Sequence, residues 1–246
     1  MSSYLKSAWS KLKAQIGTYV GYTLLFFIIS SVITMIPVLN YMSSFIQLLL
    51  GAGFYIYASK QQNNTAEFKD FFGGFSFILP IFLYTVTYLV ILLPGFVILF
   101  GFVFPFNDFV SILTGGSNSP EILEQLGKSL LANIASTSGI LSTLVAVIYF
   151  LYVGVSYILA LPLIVIGKLN FWPAIEVSRR TIGKNFTPAV VMLLLLGIGI
   201  SIATIVTCGV GLLVAFPMLY LVYFEMYNQI YETSYSEMDT EENKAE

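Results

Sequence analysis

Apolar residues along this chain gather into long runs, with polar residues confined to the segments between them. A spanning helix needs about 20 mostly apolar residues, because about 30 Å of hydrocarbon is crossed at 1.5 Å per residue. The first run of that kind is about 18–39, ending near Pro37 and Asn40, and the second, 42–59, follows a tight turn at Asn40-Tyr41. The third covers 75–106 and is interrupted by Pro94-Gly95. One kinked helix is its simplest account, since proline removes an intrahelical bond, and two re-entrant halves are the alternative. The fourth run, 139–167, carries Pro162 in its later half. The last, 189–224, is too long for one span. Cys208-Gly209-Val210-Gly211 predicts a turn that splits it into helices 189–207 and 210–228, the second holding Pro217. The pattern predicts an all-α integral membrane protein with six transmembrane helices in one domain, 1–231, and an acidic disordered tail, 232–246.

The polar segments have a helical period of their own. In 3–17, Tyr4, Leu5, Trp9, Leu12 and Ile16 recur at helical spacing, with Lys6, Lys11 and Lys13 elsewhere. In 170–186, Asn170 is a capping candidate, Ile175, Ile182 and Phe186 are apolar, and Glu176, Arg179, Arg180 and Lys184 intersperse. The stretch 65–72 is a shorter version. All three read as amphipathic helices at the headgroup level, cations towards anionic lipid and aromatic anchors inwards. Each precedes a hairpin of spans, so the chain can be written as three parallel helix-plus-hairpin repeats, 1–59, 60–168 and 169–231. The competing view is that any chain of hairpins looks repetitive. Within 107–138, Thr114–Asn118 reads as flexible, and Ser119-Pro120-Glu121 as the start of a helix reaching about Ala135.

Composition narrows the class. The chain is 57% hydrophobic and 10% charged, with a mean hydropathy of +0.86, against about 25% charged residues in soluble domains. Such a chain lacks the polar surface of a soluble fold. Histidine is absent, which excludes His-based metal sites, triads and pH switches within the chain. The single cysteine, Cys208, excludes an internal disulfide. The segment 1–15 is amphipathic and reads as no secretory signal. With six spans, every Lys and Arg except Lys128 falls on one face, which predicts both termini in the cytoplasm, whereas four or seven spans would put basic loops on both faces.

Few residues suggest chemistry. Glu225, between Phe224 and Met226, is a carboxylate near the end of a span and needs a partner, with Arg179 or Arg180 as candidates. Glu176 and Arg180 are four apart and can pair, and Arg179 and Arg180 could instead grip a lipid phosphate. Pro94, Pro162 and Pro217 predict kinks that can widen a cavity. Ser201, Thr204 and Thr207, with Tyr149, Tyr152, Ser156 and Tyr157, are candidates for its wall, although helix packing explains them equally well. No phosphate-binding glycine loop, metal-ligand set or serine with a plausible base occurs, and the acids Asp108, Glu121 and Glu124 form no convincing carboxylate site. No cofactor is implied, and nucleic-acid binding lacks the basic density it needs.

The stretch Leu161-Pro162-Leu163-Ile164, Phe171-Trp172-Pro173-Ala174-Ile175-Glu176-Val177-Ser178-Arg179-Arg180 and Gly183-Lys184-Asn185-Phe186, with the later Phe216-Pro217 and Tyr223, carries a resemblance. It resembles bacterial six-span proteins: the membrane domain of some glycerophosphodiester phosphodiesterases and the uncharacterised YciC-like family. The resemblance implies that architecture and a prokaryotic cytoplasmic (inner) membrane. It carries over no hydrolase activity, because the catalytic domain has no counterpart here. Two functions follow as expectations: a non-enzymatic protein that supports or organises a membrane protein or lipid assembly, with membrane lipids and a membrane protein as partners, or a small transporter or lipid-handling protein with a cavity between kinked spans. A wet cavity at mid-bilayer favours the second; a filled bundle with an exposed groove favours the first.

Overall fold

The computed structural model describes residues 2–106, 109–110, 120–184 and 186–245. The expectations for Asp108, Thr114–Asn118, the Ser119 cap and Asn185 lie outside them. Every element among the described residues is helical. In chain order these are α1 (Ser2–Ala14), α2 (Ile16–Met35), α3 (Pro37–Asn40), α4 (Ser43–Gln62), a 3₁₀ helix (Phe68–Phe77), α5 (Ile78–Val103), α6 (Pro120–Ala135), α7 (Thr137–Ser156), α8 (Ala160–Val165), α9 (Phe171–Lys184), α10 (Phe186–Val206) and α11 (Leu212–Ala245). The helix α11 takes in the acidic stretch that the sequence predicts as a disordered tail. The predicted turn at Cys208 is present, with Cys208 at φ 50° and Gly209 at φ 91°, and the Thr207 hydroxyl accepts the Gly211 N–H at 2.6 Å.

Four helices among the described residues are long and apolar enough to cross a membrane, which corrects the six predicted: Ile16–Met35, Phe68–Val103, Thr137–Val165 and Phe186–Val206. The predicted spans 42–59 and 210–228 are helices of another kind. Helix α4 carries Ser43, Ser44, Gln47, Ser59 and Lys60, and α11 carries Glu225, Asn228 and Gln229. Both are packed inside the unit over part of their length: Leu49–Tyr55, Tyr57 and Ala58 of α4 are buried, and so are Leu221, Val222 and Phe224–Tyr227 of α11. A helix apolar all round is either a span or a core helix, and length alone does not separate the two. The proposed threefold repeat of paired spans falls with them, since only the middle hairpin has two such limbs.

The chain divides into two compact units, Met1–Thr85 with Val155–Glu246, and Val86–Gly154. In the first, α4 runs antiparallel to α2: Tyr19 meets Gln61 and Tyr57, and Tyr22 and Phe26 meet Phe54. Its centre is aromatic. Phe71 stacks on Tyr22 at 4.1 Å and on Tyr57 at 4.0 Å, and Phe54 stacks on Tyr220 of α11 at 4.7 Å. The Tyr22 hydroxyl donates towards the carbonyls of Leu50 (2.8 Å) and Phe71 (3.1 Å), so this buried polar group is satisfied. The 3₁₀ helix touches α4 backbone to backbone. A Cβ at Gly53 would stand 1.7 Å from the Phe71 carbonyl oxygen, and one at Gly74 would stand 2.0 Å from that of Leu49. Glycine is required at both positions, since backbone cannot yield as a side-chain tip does.

In the second unit α5 passes through Pro94 as one helix, the simpler of the two readings. Gly95 is where α7 packs: a Cβ there would lie 2.6 Å from the Phe150 ring and 2.7 Å from that of Tyr149. The Tyr149 hydroxyl donates to the Ile91 carbonyl, and Phe96 meets Phe150 at 5.1 Å. The Ser136 hydroxyl accepts the Gly139 N–H at 3.0 Å at the start of α7.

Candidate functional site

Among the described residues of the first unit, two groups of ionisable side chains come together. The larger joins α1, α4, the 3₁₀ helix and α11. Helix α1 buries Ala8 and Leu12 and brings the Lys11 ammonium onto Glu225, whose side chain is 8% exposed while that of Lys11 is 18% exposed. The contact is a largely buried ion pair. The same ammonium lies 4.6 Å from the centroid of Phe224, a cation–π contact that supplements the pair. Nearby, Gln61 donates to the Lys11 carbonyl at 3.0 Å and accepts from the Tyr19 hydroxyl at 2.8 Å. The Tyr57 hydroxyl donates to Gln15.

At the end of α4, Lys60 donates to Asp70 Oδ1 at 2.7 Å, and Asp70 Oδ2 accepts the Glu67 N–H at 2.8 Å. One buried carboxylate therefore caps the 3₁₀ helix and holds the α4 terminus to it.

The smaller cluster is α9. Its buried face is Ala174, Ile175, Ser178 and Ile182. The Ser178 hydroxyl donates to the Ser156 carbonyl at 2.7 Å and accepts the Leu159 N–H at 3.2 Å. It thereby bridges the turn between α7 and α8. On the outer face Arg179 donates to Glu176 from Nε (3.1 Å) and Nη2 (2.9 Å), and Arg180 Nε donates to Glu176 Oε1 at 2.6 Å. Hydrogen bonds from Arg179 and then Arg180 pull the Glu176 carboxyl down to about 2.

Of the residues singled out from sequence, Glu176, Arg179 and Arg180 come together, and Glu225 stands apart with Lys11 in place of either arginine. Pro94 and Pro217 lie inside α5 and α11, whereas Pro162 falls in the first turn of α8, where the missing N–H costs least. The polar stripe of α10 is turned on its own backbone: Ser201 donates to Gly197 (2.8 Å), Thr204 to Ile200 (2.7 Å) and Thr207 to Ala203 (2.6 Å). Sequence reasoning missed the Lys11 and Asp70 pairings. A signal for the second existed in Phe68-Lys69-Asp70-Phe71-Phe72, an acid set among aromatics that demands a cation.

Among the described residues no group of His, Cys, Asp and Glu is placed to hold a metal ion. An apolar groove of about 300 Å³ lies between α10 and α11, with Leu5 of α1 in its lining. Comparison with protein-family models, curated proteins and solved structures finds no match, and so adds no link to the phosphodiesterase membrane domain or to the YciC-like family.

Proposed function

We propose that this multi-span, all-helical integral membrane protein is a non-enzymatic component that supports or organises a protein or lipid assembly. The observation that carries the reading is the division of labour in the first unit. Its interior is filled by Tyr22, Phe54, Phe71 and Tyr220, and its cations are displayed on α1 and α9. A transporter needs polar groups along a mid-membrane path, whereas the hydroxyls of α10 are spent on their own helix. The contacts of such a component are membrane lipids, anionic ones among them, and a membrane protein. The resemblance of 161–186 to bacterial membrane proteins supports a prokaryotic cytoplasmic membrane.

Native mass spectrometry of the chain extracted gently from its own membranes tests this reading. The expected result is a stoichiometric protein partner. A retained small solute without any protein partner overturns it in favour of transport.

A further inference from the structure

We infer that the groove between α10 and α11 is a binding site for one acyl chain of an anionic phospholipid, whose phosphate is held by α1. The inference goes beyond the assembly reading and stands without it. The groove is lined by apolar side chains only, among them Met192 and Leu196 of α10, Ala215 and Met218 of α11, and Leu5 of α1. Its volume, about 300 Å³, is at the lower end of small-ligand sites. Helix α10 is one of the four helices apolar enough to cross a membrane, and Leu194, Leu195, Ile198 and Ile202 are exposed along it. In a bilayer a groove on that surface is offered hydrocarbon before anything else.

The charge comes from α1. The helix has three lysines and no acid. Lys11 is consumed by Glu225, and Lys6 and Lys13 have no carboxylate partner among the described residues. Lys6 is exposed and stands about 100° round the helix from Leu5, and its long flexible side chain is free to swing towards a headgroup at that end of the groove. Trp9, one turn on and 41% exposed, supplies the amphipathic ring favoured at that depth. Two features, an apolar slot and an adjacent free cation, thus meet on one helix.

Gly199 gives a clean test. It borders the groove, a Cβ there meets nothing within 4 Å, and leucine is a better helix former than glycine, so Gly199→Leu directs bulk at the slot, with the unfolding temperature of the variant as the control for the fold. The full chain is reconstituted in phosphatidylcholine vesicles containing phosphatidylglycerol with a photoreactive group in its acyl chain, and adducts are mapped. The inference expects adducts concentrated on Met192, Leu196 and Met218, a fall of about tenfold in Gly199→Leu, and loss of the preference over photoreactive phosphatidylcholine in Lys6→Gln. Even labelling of Leu194, Ile198 and Ile202, unchanged in Gly199→Leu, overturns it and leaves bulk lipid. Crosslinking of the groove residues to a second protein in native membranes, with lipid adducts absent, overturns it as well and makes the groove a seat for a partner helix.

Discussion

Helices α1 and α9 are written alike in the sequence, as short basic amphipathic segments placed before long apolar ones, yet they are fastened to the molecule by different chemistry. Helix α1 reaches across to another element: Lys11 meets Glu225 of α11, and the Lys11 carbonyl takes a hydrogen bond from Gln61 of α4. Helix α9 pairs Glu176 with Arg179 and Arg180 of its own outer face, and is fastened by the neutral hydroxyl of Ser178. A buried ion pair is costly to assemble and costlier to break, whereas an exposed one contributes little. The same amphipathic pattern can therefore encode a helix locked down through a buried charge and one fastened through a buried neutral hydroxyl.

The largest expected effect breaks the α1 side. Glu225→Ala leaves Lys11 beside Phe224 with no carboxylate, and loss of one member of a buried pair costs about 3–5 kcal/mol. Unfolding in detergent should show a loss of that order, and an unchanged unfolding temperature would remove the lock. On the α9 side Ser178→Ala deprives the buried Leu159 N–H of its acceptor, for about 1–3 kcal/mol by the same measurement. A loss equal to that of Glu225→Ala would erase the difference between the two helices.

A smaller stability effect, within the scatter of the unfolding temperature, is expected for Arg179→Gln with Arg180→Gln. The readout there is lipid: retention of phosphatidylglycerol should fall severalfold if these guanidiniums hold phosphate, and unchanged retention would reduce them to topology signals. The smallest effect is that of pH on Glu176. Its carboxyl is depressed from 4.5 to about 2, so the contribution of its ion pairs is complete above pH 4.5 and is lost as pH falls through about 2. Carboxyl NMR should find a midpoint near 2, and a midpoint at the ordinary glutamate value would show that the cluster does not persist in solution.

Much of the element map was legible. The α10–α11 turn at Cys208, the helices α1 and α9 and the passage of α5 through Pro94 follow from run length, charge spacing and glycine. The exposure of each run was not. Helices α2 and α4 are both twenty residues long and largely apolar, and what sets α4 inside is its contacts: Gly53 against the Phe71 carbonyl, Gly51 against Tyr220. Those partners are distant in sequence, so the Gly51-Ala52-Gly53 signal shows that something comes close without showing what. The same limit hid the partner of Glu225. The need for a cation was readable from its apolar flanks, but the sequence pointed to Arg179 or Arg180, because nothing in it shows that α1 crosses α11. The groove by Leu5 left no trace in any single run, because three elements make it.

The lock between α1 and α11 is tested most directly by a double-mutant cycle on Lys11 and Glu225, with unfolding free energy measured for wild type, Lys11→Met, Glu225→Leu and the pair. The account predicts non-additivity of more than about 1 kcal/mol, the double variant being more stable than the sum of the single losses implies. Additivity within about 0.3–0.5 kcal/mol would contradict it and leave α1 held by Ala8 and Leu12 alone.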